Sequence, residues 1–201
     1  LPVYFYQLNE ENADLNFADT KVKKNHLLPL NDSYEELRKN YRRDRRSDLK
    51  RIEKKALTIS TEFYLPSLIE ELKKKYPYFT KYYTQPWYER LMREIISRKQ
   101  FTYYQLLDDV ETIASVFFIH SQQRRILLFS TRNEKPAHRG ANSYLIDYFI
   151  QNHSNQDLLL DFEGSTVAGI ADFYESFGGK PQSYHRIENS KLQLIRKIIK
   201  V

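Results

Sequence analysis

Glu163 lies where the sequence predicts the end of a buried strand, a place suited to a reactive carboxylate. The preceding run Asp157–Phe162 is mostly apolar and has the length of a strand, and Gly164-Ser165 follows as a turn. Parallel strands present active residues at their carboxyl ends, so we predict that Glu163 is a catalytic residue. The structural alternative is that Glu163 caps or pairs with the next helix.

His138 and Arg139 are adjacent in a predicted loop and form a second group of candidates. An imidazole beside a guanidinium can bind a phosphate, or the imidazole can act as a base near neutral pH. The alternative is that His138 is merely solvated, as loop histidines commonly are. The pair is therefore a candidate for phosphate binding or for proton transfer.

The composition excludes several other kinds of site. The chain has no cysteine, so disulfides, thiolate catalysis and cysteine-based zinc sites are excluded. The sequence has neither a Gly-x-Ser-x-Gly elbow nor a Walker-type phosphate loop. We also predict no metal site, because the other histidines show no ligand spacing with one another. Those residues are His26, His120, His153 and His185.

The first half of the chain is mainly helical by its pattern. Asp32-Ser33 can cap a helix, and Glu35-Glu36 place negative charge in its first turn, where the helix dipole favours it. We predict the following helices from their caps, prolines and apolar stripes: Ser33–Lys55, Pro66–Tyr76 and Pro86–Lys99. We predict short strands at Leu1–Leu8, His26–Leu30 and Leu57–Thr61.

After Gln100 the hydrophobic period becomes that of strands. Three strands joined by short turns predict an antiparallel meander, and a crossover helix then leads to a fourth strand, parallel to the third and splayed from it. Such a change of strand direction often opens a cleft for a ligand. The predicted elements are strands Phe101–Leu107, Glu111–His120 and Arg125–Thr131, helix Ala141–His153, strand Asp157–Phe162, helix Gly169–Phe177, strand Gln182–Ile187 and helix Lys191–Lys200.

The segment Ala168–Gly178 resembles the last helix of the GNAT acyltransferase superfamily. The family pattern there is Asn, Ala three residues later, Tyr three further and Gly four after the Tyr. Ala171, Tyr174 and Gly178 match this pattern, whereas Ala168 stands at the Asn position. The resemblance implies that Tyr174 protonates the leaving group, for which its hydroxyl must be free at the cleft. The alternative is an aromatic side chain on a core-facing helix.

The loop before the crossover helix resembles the pyrophosphate loop of the same superfamily. In that loop, Gln/Arg-x-x-Gly-x-Gly/Ala, backbone N–H groups hold a pyrophosphate at a helix N-terminus. Ala137–Asn142 matches at Gly140, but Ala137 and Asn142 depart from the pattern, which weakens the case for coenzyme A. The resemblance implies that an acyl-CoA donor would contact the following residues: His138, Arg139, Gly140, Ala141 and Asn142.

Three longer segments resemble FemAB-like acyltransferases and uncharacterised bacterial GNAT-like proteins: Tyr34–Tyr41 with the basic run after it, Leu127–Asn133 and Leu160–Ser165. The implied fold is α+β, a GNAT-like mixed sheet flanked by helices, with an extra N-terminal helical segment. Because such proteins usually have two GNAT-like halves, we expect a C-terminal half here. Residues 31–201 would be its acyltransferase domain, and residues 1–30 would be a remnant of the preceding lobe.

The resemblance implies an N-acyltransferase that moves an acyl or aminoacyl group from a thioester or tRNA ester directly to an amine. FemAB members transfer an aminoacyl group from tRNA to a peptidoglycan precursor, while relatives use acyl-CoA or acyl-carrier donors. A backbone N–H of the strand before Gly140 would polarise the carbonyl. The rival function is a non-catalytic module that kept the fold and binds RNA or another polyanion. The sequence identifies neither the donor nor the acceptor.

The net charge is +6, from 32 Lys and Arg against 26 Asp and Glu, and much of the excess lies in the helix predicted over Ser33–Lys55. We predict that its bases form an exposed arc that contacts tRNA or another polyanion. The bases of that arc are Arg42, Arg43, Arg45, Arg46, Lys50 and Arg51. The alternative is a solvated face, on which Asp44 and Asp48 neutralise the bases in pairs four residues apart.

Nothing in the sequence indicates a membrane protein. No apolar run approaches the roughly 20 residues that span a bilayer, and the N-terminus lacks the features of a signal peptide. We therefore expect a cytoplasmic protein, and the resemblance implies a bacterial one. We also expect further residues before Leu1 in the native chain.

Overall fold

The computed structural model describes residues 4–7, 20–75, 85–164 and 168–189. The strands of this part are β1 Tyr4–Gln7, β2 Thr20–Pro29, β3 Thr58–Ser60, β4 Phe101–Asp108, β5 Glu111–Ser121, β6 Arg124–Arg132, β7 Leu159–Gly164 and β8 Lys180–Asn189. Its helices are α1 Tyr34–Lys39, α2 Arg43–Ile52, α3 Leu65–Lys75, α4 Gln85–Ser97, α5 Ala141–His153 and α6 Ala168–Glu175. None of these helices is long and apolar enough to cross a membrane. The helix predicted over Lys191–Lys200 lies outside the described residues.

The strands form one mixed sheet in the order β1-β8-β2-β7-β6-β5-β4-β3. The predicted meander is confirmed, because β4, β5 and β6 pair antiparallel in succession. The predicted parallel neighbour is also confirmed, since β7 runs parallel to β6 while the other pairs are antiparallel. The α+β architecture of a mixed sheet flanked by helices is therefore as the sequence predicts.

Two clusters of apolar side chains lie on opposite faces of this sheet. Phe117 and Phe118 are consecutive in β5 and must point to opposite sides. Phe118 stacks on Phe149 of α5, in the large core that also holds residues of α1 and α2. Phe117 joins a smaller cluster with Leu72 of α3 and Met92 of α4. Helices therefore cover both faces of the central strands.

The helix predicted over Ser33–Lys55 is two helices, so that prediction is wrong in its middle. Ser33 caps α1 as expected, but the chain leaves the helix at Asn40 and is extended at Arg42, where α2 begins. Tyr41 is buried in the break and meets the ring of Phe177 edge-on, with 5.4 Å between centroids. The Arg42 N–H also donates to a carbonyl oxygen near the end of α6. Tertiary contacts therefore replace the helical hydrogen bonds at this point.

The strand β2 lies inside the sheet, between β8 and β7. It pairs with β8 over Thr20–Leu27 and with β7 over Asn25–Pro29. The sheet therefore includes residues that we assigned to a segment outside the domain. The origin of residues 1–30 in a preceding lobe stays a prediction.

Replacing Phe149 by Ala should strongly destabilise the fold. Phe149 and Phe118 are both fully buried, with ring centroids 3.8 Å apart, so truncation leaves a cavity between α5 and the sheet. We expect a loss of about 3–5 kcal/mol in the free energy of unfolding, measured by urea denaturation. The control is Val110→Ala in an exposed turn, which should change it by less than about 0.5 kcal/mol. Similar midpoints for both variants would contradict this description of the core.

Candidate active site

β6 and β7 diverge after a short stretch of parallel pairing, and the gap that this leaves between them is the candidate cleft. The two strands pair only over Arg124–Ile126 and Leu159–Asp161, although β6 continues to Arg132. The register between β5 and β6 shifts just after this point and leaves Leu128 as an extra residue in β6. Such a bulge bends its strand, and a second register shift lies between β2 and β7. The splayed pair that the sequence predicts is therefore present, with an irregularity on each side of it.

Glu163 lies in the irregular part of β7, at the edge of this cleft. Its φ is 61°, in the left-handed region that residues other than Gly seldom adopt. Its N–H donates to Oδ1 of Asp161 at 2.8 Å, which holds this conformation. Solvent reaches the side chain, yet nearby protein groups desolvate it and, together with the charge of Asp161, raise the pKa of the carboxyl. A carboxyl with a raised pKa is better suited to accept a proton near neutral pH.

Polar groups surround Glu163 on one side of β7. Asp161 is buried and accepts hydrogen bonds from Asn25 Nδ2 and from Arg124 Nη1, each at 2.7 Å. Burial, followed by the charge of Glu163, raises the pKa of Tyr184 on β8, so this phenol is also close. Glu163, Asp161, Asn25, Arg124 and Tyr184 therefore form a polar cluster on β7 and the neighbouring strands, which we call the polar rim.

Tyr174 lies on α6 and packs against the other side of β7. Its ring stacks on buried Phe162 at 4.7 Å and meets the ring of Phe173 edge-on at 5.7 Å. Its carbonyl oxygen accepts the N–H groups of Phe177 and Gly179, which end the helix. The side chain is half-buried and held by aromatic packing. Phe162 therefore separates Tyr174 from the polar rim that contains Glu163.

Gly140 forms the turn between β6 and α5 that we predicted to hold a phosphate. Its φ is 93°, and it stands at the N-cap position of α5, whose first residue Ala141 is buried. Asn142 contacts Ser130 Oγ through its amide nitrogen at 3.4 Å. The side chain of Arg139 is exposed, with its Nε 3.4 Å from Oδ1 of Asp48. The turn therefore has the predicted helix N-terminus, but a carboxylate of α2 lies next to it.

His138 is neither a solvated loop residue nor a free ligand for phosphate. It is buried, with Nδ1 2.9 Å from Asn133 Oδ1 and Nε2 2.9 Å from Asp108 Oδ2. Both predicted roles need an available ring nitrogen, and each nitrogen has a protein partner here. The partner that sequence reasoning missed is Asp108, the last residue of β4, which only the folded sheet brings close to His138. His138 therefore fastens the loop to the neighbouring hairpin.

The predicted basic arc is interrupted by two arginines that contact the protein itself. Arg45 is buried, donates from Nε to Ser176 Oγ at 2.9 Å and bonds to Ser143 Oγ. Desolvation lowers the pKa of its guanidinium. Arg42 pairs with Asp172 of α6 and with Asp44. The prediction of an exposed arc is therefore wrong for Arg45, and the charge of Arg42 is largely neutralised.

The remaining cations of the arc differ in their surroundings. Arg43, Arg46 and Lys50 are exposed on α2. Arg51 is also exposed, but it donates to Asp48 Oδ1 at 3.1 Å. The exposed positive surface is therefore smaller than the sequence suggests, because half of its charge is paired with carboxylates within the domain.

Glu71 on α3 faces the sheet and was not singled out by sequence reasoning. Its Oε2 accepts hydrogen bonds from Ser115 Oγ at 2.6 Å and from Thr131 Oγ1 at 3.2 Å. Glu71 and Thr131 line a cavity of about 260 Å³ near the carboxyl end of β6. In the sequence Glu71 is one of several charged residues in an amphipathic helix, so the sequence does not show that its side chain faces the sheet. A second carboxylate therefore lies on the face of the sheet that α3 covers.

Comparison with known proteins gives one family match. A family model described as an acetyltransferase (GNAT) domain matches residues 35–166. No curated protein matches the chain significantly in sequence. The matched segment includes the turn at Gly140, the divergence of β6 and β7, and Glu163.

Several solved structures share the fold at low sequence identity. The crystal structure of FemX aligns with 81% of this chain and 61% of its own, with TM-score 0.59 and 9% identity. The structure of L-PGS from Bacillus licheniformis aligns with 98% of this chain and 71% of its own, with TM-score 0.56 and 11% identity. The C-terminal domain of a putative lysylphosphatidylglycerol synthetase from Agrobacterium fabrum aligns over 90% and 65%, with TM-score 0.55 and 12% identity. The chain thus spans less than two thirds of the FemX and Agrobacterium chains.

Changing Glu163 to Gln should stabilise the protein at neutral pH. Because the folded state raises the pKa of this carboxyl, the folded state binds more protons, and the stability of the native chain falls as pH rises above the unfolded value near 4.5. Gln removes that ionisation. We therefore expect a higher melting temperature than the native chain at pH 7 and little difference at pH 4.

The control for this effect is Glu62→Gln, which neutralises an exposed carboxyl in the loop before α3. It should not produce the same pH-dependent gain. A Glu163→Gln melting temperature that lies below the native value at pH 7 and equals it at pH 4 would show that the carboxylate is stabilised in the fold.

Proposed function

Because the chain belongs to the acetyltransferase (GNAT) domain family, we propose that it transfers an acyl or aminoacyl group from a thioester or ester donor to an amine. The observation that carries this proposal is the cleft between β6 and β7, with the strained residue Glu163 at its edge. Direct transfer needs an amine and a carbonyl carbon held together in one cleft, and this positioning supplies much of the catalysis.

Glu163 is the general base in this proposal. An amine is mostly protonated at neutral pH and must lose a proton before its nitrogen can attack the carbonyl carbon. The raised pKa of Glu163 makes its carboxylate a better acceptor for that proton. The polar rim around Asp161 and Tyr184 would receive the amine. The new C–N bond then forms in the gap where β6 and β7 diverge.

Tyr174 is the general acid in this proposal. As the C–N bond forms, the bond from the carbonyl carbon to sulfur or oxygen breaks, and the phenol donates its proton to that leaving atom. A backbone N–H near the bulge at Leu128 would stabilise the negative charge on the carbonyl oxygen. Tyr174 and Glu163 lie on either side of Phe162, so the leaving atom and the attacking amine would lie on different sides of the reacting carbonyl.

A second candidate function is binding of a polyanion such as tRNA, with or without catalysis. Arg43, Arg46 and Lys50 are the exposed cations of α2 that support it. If the donor is an aminoacyl-tRNA, this surface would contact its phosphates. Binding through phosphates is sensitive to salt, so the two functions can be tested separately.

Glu163→Gln and Tyr174→Phe should each lower kcat by about 10²-fold or more, because each removes a proton-transfer group while keeping the shape of the side chain. The assay follows amine-dependent loss of the donor, with acetyl-CoA, an N-acetylcysteamine thioester and an aminoacyl-tRNA tested against a panel of primary amines. Glu62→Gln is the matched control and should keep the native rate. Full activity in both variants, or no transfer by the native chain from any donor, would refute the proposal.

Changing Arg43 and Arg46 together to Gln should weaken tRNA binding and make it less dependent on salt. Each lost phosphate contact lowers the log–log salt slope by about 0.7–0.9. The matched control is the double change of Arg90 and Arg93, which are exposed cations on α4. The measurement is tRNA affinity by filter binding between low and physiological salt. Equal slopes for the native chain and the α2 variant would exclude this surface.

A further inference from the structure

Asp48 of α2 lies against the turn that begins α5. A Cβ atom added to Gly140 would be 3.1 Å from both Cβ and the backbone oxygen of Asp48, so the two segments are in close contact. Gly140 and Ala141 are both buried at this contact. In a helix N-terminus that binds an anion, the first N–H groups point at the ligand. Here Asp48, a residue of the same chain, contacts the glycine that precedes them.

The carboxylate of Asp48 is buried among three guanidinium groups. Its Oδ1 accepts from Arg51 Nη1 at 3.1 Å and lies 3.4 Å from Arg139 Nε. Its Oδ2 is 3.4 Å from Arg45 Nη1, and Arg45 also bonds to the hydroxyl of Ser143 in the first turn of α5. Three cations beside a helix N-terminus are the surroundings that usually hold a phosphate. In this chain one carboxylate already has all three as partners.

Asp44 shows that this arrangement is particular to Asp48. Asp44 lies one turn earlier on α2, is about half exposed and pairs with Arg42 away from the turn at Gly140. Asp48 is buried and contacts both the turn at Gly140 and Arg139, which precedes it. A diphosphate placed at this turn would have to compete with this carboxylate for the three guanidinium groups.

We propose that Asp48 is a built-in anion that fills the phosphate position at the start of α5, so the acyl donor is bound without a diphosphate in this turn. The inference rests on the proposed acyl transfer, because it concerns how the donor of that reaction is bound. Recognition of the donor then depends on the acyl group and the atoms next to the reacting carbonyl. Removing only the charge of Asp48 leaves three guanidinium groups around the helix N-terminus and creates a site for a diphosphate.

The first test measures binding of coenzyme A by calorimetry, without any reaction. The native chain should show no saturable binding, and Asp48→Asn should gain affinity by at least roughly tenfold, which corresponds to about 1.4 kcal/mol. Asp44→Asn is the matched control, with the same change one turn away, and should gain nothing. Native binding of coenzyme A that Arg139→Ala weakens tenfold would overturn the inference. A folded Asp48→Asn variant without any gain would overturn it too.

The second test needs only the native chain and decides the question if Asp48→Asn does not fold. The same acyl group is offered as its coenzyme A thioester and as its N-acetylcysteamine thioester, which lacks the diphosphate and the nucleotide. We expect kcat/KM values that agree within about threefold, whereas a working diphosphate contact would favour coenzyme A by roughly 100-fold. That preference would overturn the inference. If neither thioester reacts, thioester transfer fails, while coenzyme A binding by the native chain and its Arg139→Ala variant still decides the inference.

Discussion

The buried guanidinium of Arg45 connects three helices, and the geometry around the cleft depends on it. Moving a guanidinium out of water is costly, and the cost is offset only when its donors have partners. Arg45 has hydroxyl partners on Ser143 of α5 and Ser176 after α6, and it lies 4.5 Å and 4.9 Å from the ring centroids of Phe173 and Phe177. These contacts join α2 to the start of α5 and to the helix that carries the candidate acid. One cation therefore sets the position of the turn at Gly140 relative to α6.

The strands supply the opposite half of the cleft through local departures from regular pairing. The register shifts at Leu128 and near Glu163 lie on the two strands that diverge. A positive φ at a residue other than Gly, as at Glu163, costs on the order of 1–3 kcal/mol. Such a conformation persists only where the surrounding structure stabilises it. At Glu163 that support comes from Asp161, whose carboxylate binds the Glu163 N–H as well as Asn25 and Arg124. Strain, desolvation and a free edge thus occur together at one residue.

Sequence reasoning was most accurate where neighbours along the chain determine the structure. The predicted bounds of α5, Ala141–His153, agree with the structure, since the Gly140 turn and the apolar period are local signals. The meander and its parallel neighbour followed from turn length and from the right-handed crossover rule. The break at Tyr41 could not be predicted in the same way. Its cause is the ring of Phe177, which is far away in the chain and becomes a neighbour only after folding.

The sequence by itself determined the α+β order of elements, the splayed pair of strands and the positions of Glu163, Tyr174 and Gly140 along the chain. It did so because hydrophobic period, turns and helix caps depend on residues close in the chain. Only the tertiary structure decided that His138 and Arg45 are buried and paired, and that Asp48 lies beside Gly140. The sequence shows which side chains are charged, but it does not show which groups they pair with. Partners from distant segments meet only in the fold, and they decide whether a charge is exposed to a ligand or already paired.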